Sequence, residues 1–336
     1  MKSKVSLIVP SKINQFYLED FLTNILFWTK KPNEIIVINT SHKRINLSEL
    51  LLKKFFKNKI NVKILNKKNL FPGAARNCGV KIAKFDILCF LDVNTVVYNV
   101  NWLEKNINFL KKNKIDGILG KTYYLANNVK EEIIIASTYG FKELQTLPGT
   151  IIKKKIFNKL GLFNNQTRAG EDTEWLLRVK KSKYKFKSIK EAIFYKGLYE
   201  TNYVDIMKKW YRNYYSSSIY KHLYLQKILY ISVFFITLLF LMTSIYSLIF
   251  EKIIVFESDF SFFANLYFYV LLVFYFIFRG IYLPFKKNIK KKLIIPNNFI
   301  KIILFSISLD VIKAVSFSLS TVFNKNKIKF IETIKN

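Results

Sequence analysis

An uncharged apolar stretch at Ile228–Phe250, ILYISVFFITLLFLMTSIYSLIF, constrains this chain more than any other feature. A helix of about 20 apolar residues crosses the roughly 30 Å hydrocarbon core of a bilayer, and this stretch is slightly longer. No comparable run occurs in the first two thirds of the chain, where charged residues are frequent. The sequence therefore predicts a polar N-terminal part followed by a membrane region at residues 228–336.

A second apolar stretch, Phe260–Leu283, is interrupted only by Asn265 and Arg279, and it predicts a second span at about residues 260–283. The connector between the two stretches is net negative, and the residues after the second stretch are strongly basic. By the positive-inside rule, the basic end and the N-terminal part both face the cytoplasm, which predicts an inner (plasma) membrane protein with a cytoplasmic domain. The charges concerned are Glu251, Lys252, Glu257 and Asp259 in the connector, and Arg279, Lys286, Lys287, Lys290, Lys291 and Lys292 after it.

A third apolar stretch, Phe299–Phe323, permits two interpretations. It contains charged residues, and four polar residues fall near one helical face, namely Ser306, Asp310, Lys313 and Ser320. This pattern favours an amphipathic helix in the plane of the cytoplasmic membrane surface. A third span that packs on the hairpin is the alternative. Upstream, residues 201–227 mix aromatic and basic side chains, which is typical of an interfacial helix that leads into the first span.

Residues 1–200 alternate short apolar strands with amphipathic helices and predict one α/β domain. The spacing indicates a doubly wound parallel sheet, in which ligands bind beyond the carboxyl ends of the strands. Asp92 and Asn94 follow one such strand. The predicted strands are Val5–Val9, Glu34–Ile38, Val62–Leu65 and Asp86–Leu91, and the predicted helices between them include Leu47–Phe56 and Ala74–Ala83.

The chain has 55 Lys and Arg against 22 Asp and Glu, a formal net charge of +33. Such an excess first suggests a nucleic-acid partner. The lysines are scattered along the whole chain, however, so a basic face toward anionic lipid headgroups fits better and no nucleic acid is expected. Cys78 and Cys89 are isolated, as are His42 and His222, which indicates a reducing compartment and no histidine-ligated metal.

Two motifs flank the fourth predicted strand. GAARN, Gly73 to Asn77, joins a glycine and a helix N-terminus to Arg76, a combination that can hold a phosphate, although an ordinary helix start would have the same pattern. Asp92 and Asn94, two residues apart after the strand, can both direct an oxygen at one divalent cation. A plain turn is the competing interpretation of that pair.

Two further motifs follow. In LPGTIIKKKIFNKLGLFN, Leu147 to Asn164, Pro148 and Gly149 predict a tight turn before a strand and a short helix. In AGEDTEW, Glu171 and Asp172 stand at the start of a helix. There a carboxylate either complements the helix dipole or acts as a general base.

The order of these motifs resembles that of the family-2 glycosyltransferases of the GT-A fold. In that family the run usually reads GxxxARNxG, then a strand ending in Asp-x-Asp, then GED before a helix. The resemblance covers Val5 to Lys196, and it implies a GT-A (Rossmann-like) domain that binds a nucleotide-sugar with Mg²⁺ or Mn²⁺.

The resemblance also implies roles for individual residues. Asp172, with Glu171 beside it, is the expected catalytic base for inverting transfer. The residues implied on the donor side are Pro10 and Ser11 under the base, Asn39 near the base or ribose, Arg76 along the diphosphate, and Asp92 and Asn94 at the metal. Gly149 and Thr150 are implied on the acceptor side.

Two departures from the family pattern qualify these expectations, since Asn39 and Asn94 stand where aspartates are usual. Asn94 still offers a carbonyl oxygen but no charge, which leaves metal dependence open. The expected acceptor is a lipid-linked or surface glycan on the cytoplasmic face. Polyprenyl phosphate is the alternative acceptor, and a catalytically degenerate nucleotide-sugar-binding membrane protein is the alternative function. The sequence predicts neither the sugar nor the oligomeric state.

Overall fold

The computed structural model describes residues 3–12, 15–196, 202–250 and 259–323, with side chains omitted for 244–265. The chain forms two compact units. The first unit comprises Met1–Leu125 and Glu143–Glu200, and the second comprises Ala126–Lys142 and Thr201–Asn336. Residues 126–142, which the sequence predicts to be part of the N-terminal domain, belong to the second unit. The acidic connector at Glu251, Lys252 and Glu257 and the basic tail after Phe323 lie outside the described residues.

The first unit is built on a mixed nine-stranded sheet of order β3-β2-β1-β4-β7-β6-β9-β5, with β8 beside β6. β3, β2, β1 and β4 are parallel, whereas β7 runs antiparallel to both β4 and β6. The α/β prediction is thus confirmed, but the sheet is mixed rather than wholly parallel, because β7 and β5 run antiparallel to the strands beside them. The strands are β1 Val5–Ser11, β2 Glu34–Asn39, β3 Asn61–Asn66, β4 Ile87–Phe90, β5 Thr95–Val96, β6 Gly117–Tyr124, β7 Leu144–Lys153, β8 Phe186–Ser188 and β9 Ile193–Tyr195.

The core of the first unit lies on both faces of this sheet, because alternate side chains of a strand point to opposite sides. Val5, Leu7 and Val9 of β1 pack on one face, whereas Ile8 packs on the other. The first face is covered by α1 Gln15–Ile25, α2 Glu49–Lys57 and α4 Trp102–Lys112, and the second by α3 Pro72–Ile82, α6 Lys154–Leu160 and α7 Glu171–Lys181.

The tight turn predicted at Pro148 and Gly149 is wrong, since both residues lie inside β7. The pairing of β6 with β7 shifts register between Ile118 and Gly120, which marks a β-bulge. At this bulge Gly149 has φ +88°, and a Cβ on Gly120 would come within 2.0 Å of the Pro148 carbonyl oxygen. The glycines therefore permit an irregular strand rather than a chain reversal.

The second unit is helical. Among its described residues, three helices are long and apolar enough to cross a membrane: Lys221–Thr243, Leu266–Lys286 and Pro296–Phe323. In the last of these, 50% of the most apolar window is buried against other parts of the protein, compared with 6% and 17% in the first two. The helices are α5 Val129–Ser137, α8 Tyr203–Ser217, α9 Tyr224–Phe250, α10 Asp259–Phe276, α11 Leu283–Lys286 and α12 Pro296–Phe323, with a π-helical turn at Ile277–Tyr282 between α10 and α11.

The helix α12 is the centre of the second unit. The neighbouring α8 runs alongside it, with Tyr203 against Phe305 and Tyr214 against Phe317. α5 approaches its first half, where the Ser137 hydroxyl donates to the Ile302 carbonyl oxygen over 3.4 Å. The two candidate spans contact α12 through a buried polar cluster that is described below.

Candidate active site

The candidate site is organised by Arg76 on the first turns of α3. Its guanidinium donates to Asp92 Oδ1 over 2.9 Å and to Glu171 Oε1 over 2.8 Å. Asp92 directly follows the β4 region, and Glu171 is the first residue of α7. Arg76 therefore joins the end of a central strand to the start of a helix that is distant in sequence, at the carboxyl edge of the parallel strands where ligands bind in such sheets.

Close packing of α3 against the segment before α7 makes this junction possible. A Cβ on Gly73 would lie 2.1 Å from the Asn164 carbonyl oxygen and 3.0 Å from Glu171 Cγ. Asn77, one turn later, exchanges two hydrogen bonds with the backbone of Phe163, at 2.8 and 3.0 Å. Gly170, the N-cap of α7, takes the left-handed conformation at φ +87°, which suits glycine and turns the chain into the helix.

Arg76 is buried, since its side chain is 6% exposed, and both hydrogen bonds described above go to carboxylates. Burial opposes its charge, but Asp92, Glu171 and Asp172 together raise the pKa of Arg76. Burial, reinforced by the charge of Asp172, raises the pKa of Glu171 to about 7, although Arg76 acts in the opposite direction. Glu171 is thus a buried carboxyl group with a raised pKa, hydrogen-bonded to the Arg76 guanidinium.

Asp172 lies next to this buried pair and is half-buried. Its carboxylate accepts a hydrogen bond of 2.7 Å from the backbone N–H of Thr173 at the start of α7. Its charge contributes to the raised pKa values of both Arg76 and Glu171. The structure therefore brings together Arg76, Asp92 and Glu171, and Asp172 follows Glu171 directly in the chain.

Asp92 and Asn94 stand on one turn, which is closed by hydrogen bonds from the N–H and hydroxyl of Thr95 to the Asp92 carbonyl oxygen. Arg76 binds one carboxylate oxygen of Asp92, and the side chain remains 21% exposed. Asn94 is exposed. Within the described residues no group of three His, Cys, Asp or Glu side chains could hold a metal ion. Asp92 and Asn94 fit a Mg²⁺ or Mn²⁺ ion only if a ligand and water complete its coordination.

Asn39, at the end of β2, has an unexpected environment. It is fully buried, and its amide nitrogen donates to the Lys43 carbonyl oxygen over 2.7 Å and to Asn66 Oδ1 over 2.8 Å. Its carbonyl oxygen accepts from the N–H and the hydroxyl of Ser41, at 3.0 and 2.7 Å. An amide has two donor hydrogens and two acceptor positions, so Asn39 is saturated by protein groups. It organises the loop that lines a basic cavity beyond β2 and β3, formed by Ser41, His42, Lys43, Arg44, Asn66 and Lys68.

The remaining predicted site residues are also buried or strand-bound. Ser11 pairs with Asn39 across the β1–β2 ladder, and its hydroxyl is buried without a hydrogen-bond partner in the described part of the chain. Pro10 precedes it and is half-buried. Thr150 is fully buried, accepts from the Gly120 N–H over 3.0 Å and belongs with Gly149 to the β6–β7 bulge. The structure does not bring Gly149 and Thr150 into contact with the Arg76 junction through any described hydrogen bond.

Sequence reasoning missed two supports of the site. Asn77 locks α3 to the Phe163 backbone, and Trp175 packs against Phe157 and Phe163 with its indole N–H donating to the Gly161 carbonyl oxygen over 3.2 Å. Phe163 in turn lies 5.9 Å from the Arg76 guanidinium carbon. Asn77 belongs to the ARN motif and Trp175 follows the GED motif, but both side chains donate to backbone carbonyl oxygens elsewhere in the chain, which the motifs do not indicate.

Residues 6–169 match the sequence profile of the family described as glycosyl transferase family 2. An uncharacterized glycosyltransferase of Methanocaldococcus jannaschii, MJ1057, is 26% identical over 205 residues, which cover 57% of this chain and 70% of that protein. Together with the mixed sheet, the profile match confirms the expected GT-A class of α/β domain.

Two solved structures are also similar. One is S. aureus TarS 1-349 in complex with UDP-GlcNAc, with 16% identity and a TM-score of 0.43, covering 62% of this chain and 64% of that one. The other is the mannosyltransferase PcManGT of Pyrobaculum calidifontis in complex with GDP-Man and Mn²⁺, with 11% identity and a TM-score of 0.45, covering 63% of this chain and 62% of that one. This chain spans less than two thirds of the length of either structure.

Proposed function

Because residues 6–169 match glycosyl transferase family 2, we propose that this protein is an inverting, membrane-anchored glycosyltransferase that uses a nucleotide-sugar donor. The observation that carries the proposal is the Arg76 junction, which holds Asp92 and Glu171 at one edge of the sheet with Asp172 beside them. A donor diphosphate and an acceptor hydroxyl can meet where a metal-binding carboxylate and a second carboxylate share a site.

Asp172 is the proposed general base. It is half-buried, whereas Glu171 is sealed against Arg76, so Asp172 is the carboxylate with room for an acceptor. In the proposed step, Asp172 removes the proton of an acceptor hydroxyl while that oxygen bonds to the anomeric carbon. The bond from the anomeric carbon to the diphosphate oxygen breaks on the opposite face, and the nucleoside diphosphate leaves with the electron pair. A single displacement inverts the anomeric configuration.

Arg76 and Glu171 are proposed to position these groups. Arg76 orients one oxygen of Asp92, which leaves the other for a cation, and Asn94 offers an amide oxygen on the same turn. A bound Mg²⁺ or Mn²⁺ would offset the negative charge of the leaving diphosphate. On the nucleotide side, the basic cavity lined by Lys43, Arg44 and Lys68 supports binding of an anionic donor at the ends of β2 and β3.

The acceptor is proposed to be a lipid-linked or surface glycan that is reached from the cytoplasmic side of the inner (plasma) membrane. The three apolar helices support membrane attachment, and α12, whose polar residues Ser306 and Lys313 are buried against protein, is proposed to be a third span that packs on the hairpin. Polyprenyl phosphate is the second candidate acceptor. It needs no strong base, because its attacking oxygen is already an anion.

The test uses the full chain purified in detergent, screened by thermal shift against nucleotide-sugars with and without Mn²⁺, and then assayed for transfer to membrane lipid extracts. Asp172→Asn should retain stabilisation by the donor and lose transfer, whereas Asp20→Asn, a change at an exposed helix residue, should retain both. Transfer by Asp172→Asn at the rate of the unmodified protein would remove Asp172 as the base. Donor binding without turnover by the unmodified protein would favour the degenerate alternative. Lability of the product to mild acid should separate the two acceptor classes.

A further inference from the structure

The second unit contains a buried ionic cluster that glycosyl transfer in the first unit does not use. Asp310 of α12 receives Arg279 Nε at 2.5 Å, and the hydroxyls of Tyr230 and Tyr275 at 3.2 and 3.0 Å. These groups come from three different helical segments, α9, α10 and α12, together with the π-helical turn that carries Arg279. Ionisable residues within candidate spans are costly to bury, and π-helical turns are often found at functional sites.

The hydrogen-bonding positions of the Asp310 carboxylate are occupied. Arg279 binds both of its oxygens, through Nε at 2.5 Å and Nη2 at 3.4 Å, and each oxygen also accepts a tyrosine hydroxyl. The other carboxylates described in this unit lie elsewhere: Glu132 binds Lys290 and Lys292, Glu131 binds the cap of α5, and Asp205 is exposed on α8.

Two further cations lie in the same cluster. The Lys313 ammonium is 4.0 Å from the ring centroid of Tyr230 and 4.6 Å from that of Tyr214, and Lys313 is 5% exposed. Within the described residues it has no hydrogen bond to an acceptor. Lys287 is close enough for its positive charge to repel that of Lys313. Among the described groups, the Lys287 ammonium donates only to the Thr138 carbonyl oxygen. The cluster thus contains one carboxylate, that of Asp310, and three cationic side chains, those of Arg279, Lys287 and Lys313. The excess of two positive charges is strongly disfavoured in a low-dielectric environment.

A buried hydroxyl points to the same conclusion. Ser306, one turn before Asp310 on α12, is fully buried, and its Oγ has no hydrogen-bond partner among the described residues. Buried polar groups in native structures are almost always satisfied, by protein, water or a ligand. The cluster thus holds unused donors and unbalanced positive charge together.

The occupant that this chemistry fits is a phosphate attached to an apolar chain. Exposed apolar side chains lie beside Arg279 on the π-helical turn, among them Phe278 and Ile281, and the helices that form the cluster are candidate membrane spans. We propose that the Arg279–Lys287–Lys313 cluster binds the phosphate of an anionic membrane lipid, with the lipid chain against these exposed apolar side chains. The site goes beyond the transfer reaction proposed above, because it would hold lipid whether or not that lipid is glycosylated.

The experiment measures thermal stabilisation of the full chain in dodecyl maltoside and phosphate-free buffer, without any nucleotide-sugar. The probes are phosphatidic acid, diacylglycerol with the same acyl chains, and inorganic phosphate. Phosphatidic acid should raise Tm with the logarithm of its concentration, whereas the two partial ligands should not. Because no donor is present, the outcome is independent of glycosyl transfer. Equal stabilisation by inorganic phosphate would identify a free-phosphate site, and no stabilisation by phosphatidic acid would also overturn the proposal.

Two variants of α12 provide a matched comparison. Lys313→Met should weaken the apparent affinity for phosphatidic acid at least tenfold, and Lys301→Met, the same change at an exposed position on the same helix, should leave it unchanged. Equal effects of the two substitutions would indicate that phosphatidic acid is attracted to basic residues in general, and this result would refute the proposed site. If Lys313→Met does not fold, Ser306→Ala replaces it: a weaker lipid response supports the site, and an unchanged response refutes it.

Discussion

The saturated environment of Asn39 makes a counter-intuitive prediction, because the resemblance to family 2 implies an aspartate at this position. In Asn39→Asp, the two hydrogen bonds to the Lys43 carbonyl oxygen and Asn66 Oδ1, at 2.7 and 2.8 Å, lose their donor and become contacts between acceptors. The site is fully buried. Asn66 Oδ1 keeps the Ile45 N–H at 3.2 Å and the Lys43 carbonyl oxygen keeps the Ser41 hydroxyl at 2.8 Å, so neither acceptor loses every donor. We therefore expect a loss of about 1–3 kcal/mol from the new contacts between acceptors.

For a unit of this size, that loss corresponds to a Tm lower by roughly 2–12 °C, measurable by differential scanning fluorimetry of the full chain in detergent. Asn94→Asp is the control, since it makes the same chemical change at an exposed residue of the same site and should leave Tm nearly unchanged. The decrease in Tm caused by Asn39→Asp should become smaller at acidic pH, because protonation of the new carboxylate restores one hydrogen-bond donor. Equal Tm values for the two variants at pH 8 would refute the assigned role of Asn39.

Two further outcomes are expected from the Arg76 junction. The pKa of Glu171 is raised to about 7 from an ordinary 4.5, so folding favours its protonated form. The contribution of Glu171 to the free energy of unfolding is therefore full below pH 4.5. It declines by up to ~3 kcal/mol as the pH rises to about 7. Glu171→Gln should accordingly gain in Tm relative to the unmodified protein between pH 5 and pH 8, and parallel pH profiles of Tm would contradict this. Gly73→Ala should lower Tm and abolish transfer, because the new Cβ would lie 2.1 Å from the Asn164 carbonyl oxygen and the backbone there must shift. An unchanged Tm in the same fluorimetric assay would show that α3 does not need this close approach.

The local part of the fold was predictable from the sequence. The strands β1 to β4 are short apolar runs separated by amphipathic helices, and their type and order follow from patterns within a few residues. The antiparallel insertion of β7 beside β4 was not predictable, because it depends on pairing Cys89 with Ile151, residues far apart in the chain. The same reason explains the error at Pro148 and Gly149, where a turn signal in the sequence marks a bulge in a long strand.

The candidate site was predictable to the level of motifs. The order of ARN, Asp-x-Asn and GED placed Arg76, Asp92 and Glu171 at one strand edge, and the structure joins them. What the motifs could not show is where each hydrogen bond goes. The partners of Asn39 include the Lys43 carbonyl oxygen, and those of Asn77 are backbone atoms of Phe163; such groups are identical at every residue and leave no trace in the sequence.

The excursion of residues 126–142 into the second unit affects how this protein can be dissected. A truncated chain that ends at residue 200, just before α8, would retain α5 but lose α12 and the Lys290–Lys292 segment, which bind it. The side chains of Ile133, Ile134 and Ile135, now buried, would then have to find a new cover. A soluble fragment is better obtained by replacing the excursion with a short flexible linker than by cutting the chain once.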